Sequence, residues 1–465
     1  MNDNWKSISG EKYDWSKTLK PERPYIHDYT KALTMKLYLA EPTSEHNASN
    51  VKFTFAEAAE KIKEIDIMTP GLPKIIYLVG WQYYGHDSKY PAWHEVNEAL
   101  KRPEDKTALD SLLWLFDEGY KYNTVVSLHI NMYDAYQDSP LWQTYVDKGL
   151  ICLDKNGELL KAGIWNNQQA YAVSYKREWE SGFAKKRIDE LCDFLPIKRA
   201  GTIHIDALHI SIDEGRGATI DDEREARNKI CRYWRDLGID VTSEFLYYET
   251  PDWRLSEEQL IGLQPLAYHF SQTLPEYMQR PASLMCGVNS SFRFKQGQSE
   301  EIGELFGCSI IGEEIVQPNS PNWKNEFFME FMKKNLRFLY LNTLERKRAV
   351  VTADDVEVEF SEGVTTYLNG CKMTKNGVIT QDDGNLFMPA EWYKAGAAIA
   401  YSEKGGCFTY AADVIMGYAK NEKLCMNKLT PNGISEEKTE YMLQDGKLTV
   451  ELSANEAIMI CAIDS

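Results

Sequence analysis

From about residue 33 the chain alternates short apolar runs of β-type residues with longer stretches whose apolar positions recur every three or four residues. The runs "TMKLYLA" (34–40), "KIIYLVGW" (74–81), "TVVSLHI" (124–130), "GTIHIDAL" (201–208), "IDVTSEFL" (239–246) and "QPLAYHF" (264–270) predict strands. "SLMCGV" (283–288) and "CSIIGEEI" (308–315) predict two more, by weaker patterns. Between them lie helix patterns. "TALDSLLWLFDEGYKY" places Leu109, Leu112, Leu113 and Phe116 on one stripe, and "DEREARNKICRYWRDLG" ends at Gly238, where a C-terminal glycine is expected. Strand and helix in alternation imply parallel pairing through crossover helices, because parallel neighbours cannot be joined by a tight hairpin.

Eight such units over roughly 300 residues fit an α/β fold of the (β/α)8 TIM-barrel type, in which chemistry gathers at the carboxyl ends of the strands. A doubly wound open sheet is the alternative, but no GxGxxG or GxxxxGK[ST] follows any strand. After the helical stretch 326–344 the texture changes to short alternating runs such as "VEVEF" and "KLTVELSANEAIMICAI", which predict an antiparallel β domain. The expected organisation is an N-terminal extension (1–33), a catalytic barrel (34–348) and a C-terminal β-sandwich domain (349–465).

Composition narrows the partners. A chain of 465 residues with net charge −18 repels polyanions, so nucleic acid and anionic membrane surfaces are not expected partners, whereas a neutral glycan is compatible. Nine cysteines without a CxxC pair suit neither a disulfide framework nor a zinc site, and no cofactor is expected. The first residues contain no apolar signal-like run. A cytoplasmic location is expected if Met1 is the native start, and a secreted or periplasmic one otherwise.

The chemistry-bearing residues fall at strand ends. "IHID" ends strand four on Asp206 and "VTSE" ends strand five on Glu244. Adjacent strands lie about 4.8 Å apart, so the two carboxylates can flank one bond at the roughly 5–5.5 Å separation of retaining glycosidases. Strand-end carboxylates also cap helices, and that structural role stays open for each. "GWQYYGHDSKYP" adds His86 and Asp87 after strand two; "SLHINMYDAY" adds His129, Asn131 and Asp134 after strand three; "GIWNNQQAY" adds Trp165, Asn167 and Gln168 before strand four. Each alone has a structural reading, His129 as a satisfied core histidine. Together they crowd one rim.

These segments resemble the endo-α-N-acetylgalactosaminidases of glycoside hydrolase family 101. "GHDSKYP" is similar to that family's "EGHDS" segment, "HINMYDAYQDS" to its "HVNASETYPES", "IHIDAL" to its "IYVDVW", and "VTSEF" to its glutamate–tryptophan segment, all in the family's order. The resemblance runs from about 34 to 345 and continues weakly into the β domain. It implies Asp206 as nucleophile and Glu244 as acid/base. It further implies that His86 and Asp87 bind sugar hydroxyls, that His129 and Asn131 line the same subsite, and that Trp165 and Gln168 lie close by. The implied function is a retaining α-glycosidase acting on α-linked N-acetylgalactosamine or galactose. Departures are Leu208 and Phe245 where the family has tryptophans, and "IWNNQQ" in place of its "WNWLDQ". The alternatives are a non-catalytic glycan-binding barrel and, less well matched in spacing, a metal-assisted enzyme with His86, Asp87 and His129 as ligands.

Overall fold

A computed structural model of the protein describes residues 25–245, 265, 267–269, 278, 303–311 and 315–463. Seven parallel strands form its central sheet: β1 (Leu33–Tyr38), β2 (Lys74–Val79), β3 (Thr124–Asn131), β4 (Thr202–Asp206), β5 (Asp240–Phe245), β6 (Ala267–His269) and β7 (Ile310–Ile311). Their order is β6-β5-β4-β3-β2-β1-β7. The chain therefore advances one strand at a time from β1 to β6, while β7 returns to the free side of β1. The expected strand at 283–288 lies outside the described residues.

The central strands are buried on both faces, as the unbroken run Lys74–Val79 shows, which is what crossover helices on a parallel sheet produce. Helices α1 (Phe55–Met68), α2 (Ala108–Tyr120), α3 (Phe183–Phe194) and α4 (Ile220–Asp236) make the crossovers between β1 and β5. Three of them begin with the same device. Thr54 with Glu57, Thr107 with Asp110 and Thr219 with Asp222 each form a reciprocal capping box that satisfies two backbone amides. Such a cap contributes about 1 kcal/mol and fixes where each helix starts. α4 stops before Gly238, whose φ of +80° lets its amide turn back to the Arg235 carbonyl at 2.8 Å.

The stripe expected on α2 is corrected in one respect. Leu112 and Phe116 face the sheet, but Leu115 and Ala108 complete the buried face while Leu113 lies 36% exposed. Buried positions 108, 112, 115, 116 and 119 follow a helical face that Leu113 overshoots.

The chain then runs through Trp323–Leu341, helical throughout but with a π-helical turn at Phe331–Asn335, into a ten-stranded antiparallel sheet that starts at Arg346–Val351 and ends with Glu456–Ala462 packed in its interior. A two-stranded ribbon, Gly406–Ala411 with Lys447–Leu452, covers part of it over a small core containing Phe387, Tyr410 and Leu448. The main core is continuous between the two sheets: Met35 and Ile62 belong to the same cluster as Phe338, Met388 and Tyr401. No described helix is long and apolar enough to cross a membrane. The cysteines among the described residues are free thiols.

Candidate active site

Side chains of a parallel sheet alternate between its faces, so register decides which of them meet. His129 pairs with His204 and Asn131 with Asp206 across β3 and β4, and His204 pairs with Thr242 across β4 and β5. The pairing of β4 with β5 runs as far as Ile205 with Ser243, and Asp206 and Glu244 are the residues that follow that pair. The rows below are filled with polar partners: His204 Nδ1 lies 2.8 Å from Thr242 Oγ1, and Thr202 Oγ1 meets the hydroxyls of Tyr77 at 2.6 Å and Tyr29 at 2.8 Å. Above them the imidazoles form a chain, His204 stacked on His129 at 5.1 Å and His129 edge-on to His86 at 5.2 Å.

Asp206 closes that chain. His129 Nε2 stands 3.6 Å from Asp206 Oδ1, and both residues are buried. Burial alone drives a carboxyl upward in pKa, but His129, His86 and Lys36 together outweigh it and hold Asp206 well below the usual carboxylate range. Burial also lowers His129, against the pull of Asp206. Glu244 is met from the other side by Lys36 of β1, with Nζ 3.5 Å from Oε1. Just past β4, Ala207 takes a φ of +44°, a left-handed conformation costly for a residue with a side chain.

The loop after β2 supplies the next group. Gly80 (φ +77°) and Gly85 (φ +125°) both lie against the end of β1. An added Cβ would come within 2.0 Å of the Ala40 carbonyl oxygen at Gly80 and 2.5 Å at Gly85. That close approach lets the His86 amide donate to the Ala40 carbonyl at 2.9 Å, which aims His86 and Asp87 inward. His86 Nε2 lies 3.4 Å from Asp87 Oδ2, and Asp87 itself has a φ of +56°. Burial raises the Asp87 carboxyl, with His86 opposing and Asp206 adding to the rise.

After β3, Asn131 folds its side chain into its own loop: Oδ1 accepts the amides of Tyr133 at 2.7 Å and Asp134 at 2.8 Å, while Nδ2 donates to Asp134 Oδ2 at 2.7 Å. Asn131 thus presents Asp134, a buried carboxyl lifted well above its usual range by burial first and then by the Asp87 charge. Asp134 Oδ1 and the hydroxyls of Tyr90 and Tyr136 are buried without a hydrogen-bond partner among the described residues. Such atoms are costly to bury unpaired.

A hairpin, Lys161–Trp165 with Gln168–Ala172, pairs with Asp134–Tyr136 and leans over this rim. Its turn residues Asn166 and Asn167 both have positive φ, and the Asn166 amide group donates to the His86 carbonyl at 3.3 Å. Trp165 is 48% exposed, and its indole lies so close over Gly163 that a Cβ there would stand 2.8 Å from the ring. Gln168 is opposite Trp165 in the hairpin, its Oε1 buried and unpartnered among the described residues.

The eight residues given a role from the sequence therefore lie on the carboxyl-end side of β1–β5 or on the hairpin above it. The sequence reading passed over Lys36, Tyr90, Tyr136 and His209, and left Asp134 without a role. Lys36 carried a signal, a lysine inside an apolar strand. His209, lowered to about 4 by burial against the pull of Asp206, had none. Ligand atoms of His86, His129 and Asp206 lie within 4.8 Å of one another, a donor set open to a divalent cation. In this trio Asp206 stands in place of Asp87.

With this geometry in place, the sequence model of the endo-alpha-N-acetylgalactosaminidase family, glycoside hydrolase family 101, matches residues 36–254, just under half of the chain. Over that span the chain is similar to glycoside hydrolase family 101. The matched span runs from within β1 past β5 and contains the site residues discussed above except Tyr29. No curated protein matches the chain. Among solved structures, the alpha-N-acetylgalactosaminidase NagBb from Bifidobacterium bifidum in its GalNAc complex superposes with a TM-score of 0.54 at 11% identity, over 74% of this chain and 57% of that one. Its ligand-free form gives 0.53 at 12% identity, with the same coverage. An Anoxybacillus alpha-amylase covers 94% of this chain and 99% of its own at a TM-score of 0.47 and 12% identity. The chain spans just over half the length of the NagBb structures it matches. At these identities the likeness to the NagBb structures establishes fold alone, an α/β arrangement.

Proposed function

We propose that this protein is a retaining α-glycosidase that hydrolyses an α-linked galactose-type sugar, an α-N-acetylgalactosaminide or an α-galactoside. The observation that supports the reading is the register between β4 and β5, which runs to Ile205 with Ser243, the residues just before Asp206 and Glu244, together with the positive and polar neighbours that hold Asp206 below the usual carboxylate range. In the first step the Asp206 carboxylate attacks the anomeric carbon as the glycosidic C–O bond breaks, and Glu244 gives its proton to the departing oxygen. In the second, Glu244 takes a proton from water, whose oxygen attacks the same carbon and releases Asp206. Two inversions return the original configuration. Asp87, His86, Asp134, Tyr90 and Tyr136 then hold the ring hydroxyls, and Trp165 with Gln168 covers the sugar from the hairpin.

The same reading makes the sheet a closed eight-stranded barrel. It also makes residues 34–348 the catalytic domain, 349–465 a β-sandwich domain and 1–33 an extension. Support comes from β7 lying beside β1, where the last strand of a barrel belongs.

The test is hydrolysis of p-nitrophenyl α-galactoside, p-nitrophenyl α-N-acetylgalactosaminide and the α-glycoside of the core-1 disaccharide, with the anomer of the released sugar followed by proton NMR. The α-anomer formed first is the expected result. A β-anomer formed first would rule out the two-step route, and no hydrolysis of any of the three would rule out the substrate class. Glu244→Gln is expected to slow an unactivated glycoside by several powers of ten while sparing glycosylation by a nitrophenyl substrate.

A further inference from the structure

The chain's last strand, Glu456–Ala462, lies inside the antiparallel sheet between Ala398–Ser402 and Lys423–Thr430. Against Lys423–Thr430 its register holds without a bulge over six successive pairs, from Leu424 with Ala462 to Leu429 with Ala457. The second of these pairs is Cys425 with Cys461. Residues directly opposite in an antiparallel ladder project to the same face of the sheet. The neighbouring pairs fix which face that is. Leu424, Met426 and Ile460 enter the small core under the two-stranded ribbon, so Cys425 and Cys461 point the other way, where Cys461 packs against the main core beside Met459.

The backbone also sets their spacing. The Ile463 amide donates to the Lys423 carbonyl at 2.9 Å, which marks those two residues as a pair that exchanges backbone hydrogen bonds. Such pairs recur every second residue, so Cys425 and Cys461 form the next one, with Cα atoms about 5.5 Å apart. A disulfide spans roughly 4.4–6.8 Å between Cα atoms, and the ladder already meets that requirement. Cβ atoms in such a pair stand about 5 Å apart, against roughly 3.5–4.5 Å in a disulfide, so closing the bond draws the two strands together. Strained disulfides of this kind are the easily reduced ones. Both thiols are free and half-buried, and the Cys425 thiol donates only a long contact of 3.8 Å to Asn427 Oδ1. Burial pushes the Cys461 thiol up, Lys394 opposes that, and Cys425 adds to the rise. Among the described residues no other two cysteines face each other across a strand ladder.

We propose that Cys425 and Cys461 are a reversible redox pair, closed to a cross-strand disulfide by a small disulfide such as oxidised glutathione. One cysteine thiolate attacks a sulfur of the reagent and expels a first thiolate. The other then attacks the protein sulfur of this mixed disulfide and expels the second. Two protein thiols give up two protons and two electrons, and one reagent disulfide becomes two thiols. The bond ties the hairpin of Lys423–Thr430 with Gly433–Met442 to the chain's last strand. That hairpin also bears on α1, since a Cβ at Gly433 would come within 2.7 Å of Ile67. The bond thus restrains a segment through which the antiparallel sheet touches the other layer. Neither cysteine belongs to the carboxylate rim, and nothing in the pair depends on the reaction proposed above.

The test uses the full-length protein, reduced, freed of reductant and equilibrated in its folded state with mixtures of reduced and oxidised glutathione. Remaining thiols are blocked with N-ethylmaleimide in denaturant, and the unreduced peptides are mapped by mass spectrometry. The expected result is a pair of peptides joined through Cys425 and Cys461, two hydrogens lighter than its parts, that grows with the oxidised fraction of the buffer and vanishes when reduced glutathione is restored. In Cys425→Ser the joined pair should be lost and Cys461 should carry glutathione instead; the wild-type map decides alone if that variant does not fold. The same treatment in urea should spread the bonds over other pairings. Maleimide or glutathione left on both cysteines at every buffer ratio, either cysteine joined to a third, or equal selectivity in urea would each overturn the assignment.

Discussion

Replacing Gly80 by alanine should separate the cost of backbone strain from the cost of misplacing the His86–Asp87 loop. At φ +77° any L-residue other than glycine pays about 1 kcal/mol or somewhat more. At Gly80 the new Cβ would also stand 2.0 Å from the Ala40 carbonyl oxygen, about 1.4 Å short of ordinary contact at 3.4 Å, and 2.9 Å from the His86 amide. Both obstacles are backbone, so neither can swing away as a side chain would. The loop has to lift by about 1 Å, which breaks the bond from the His86 amide to Ala40 and carries His86 and Asp87 out of place. A displacement of that size costs on the order of 100-fold in rate. Gly157 provides the control, since its φ is +83° but nothing lies within 4 Å of its would-be Cβ. Gly157→Ala should lose about 1 kcal/mol, a degree or two in Tm for a chain this long, with unchanged kcat/KM. Gly80→Ala should lose roughly 2–4 kcal/mol and about 100-fold in kcat/KM on whichever nitrophenyl α-glycoside the wild type hydrolyses. Differential scanning calorimetry and initial rates read the two effects separately. If Gly80→Ala matches Gly157→Ala in both, the loop is not held by this contact and the reasoning fails.

Asp206→Ala should abolish turnover while leaving Tm near that of the wild type, and azide should restore part of the rate with a glycosyl azide of inverted configuration as product; full activity without azide would remove Asp206 from the reaction. Lys36→Met removes a charge that lowers Asp206, so the acidic limb of the kcat/KM profile should move to higher pH, and an unmoved limb would show that Lys36 does not act on the reacting carboxylate. Asp134 is raised in the folded protein, so the native state holds its proton longer than the unfolded chain does, and stability falls as pH climbs from about 4 upward. Asp134→Asn mimics the protonated form, and its Tm advantage over the wild type should grow from about pH 4 to about pH 8; a constant or shrinking difference would contradict the raised pKa. Prolonged treatment with a chelator should leave the rate unchanged, whereas a loss reversed by added zinc would turn His86, His129 and Asp206 into a metal centre.

The strands were legible because a parallel sheet between helices imposes unbroken apolar runs, and a carboxylate ending such a run stands out, as Asp206 and Glu244 do. The helix faces were less so. Leu113 fits a helical period as well as Leu115 does, and only the direction of approach to the sheet decides between them. The charged floor and walls of the rim were hidden for a related reason. Lys36 and Asp134 read as ordinary polar interruptions until register shows that the polar face of each strand points into a shared interior, where His204 meets Thr242 and Thr202 meets Tyr77. Asn131 is the reverse case: its spacing suggests a ligand contact, while its side-chain amide is engaged by Tyr133 and Asp134.

The pairing of Ile310–Ile311 with Thr34 and Met35 joins segments separated by more than half the chain. During synthesis β1 emerges early and must wait with one edge unprotected until some 275 further residues have left the ribosome, a wait of roughly 15–60 s at ordinary elongation rates. For that interval the nascent chain exposes an apolar template for pairing with its neighbours. Yield in a heterologous host should therefore be governed by how that edge is shielded, by chaperones or lowered temperature, more than by the stability of the finished fold.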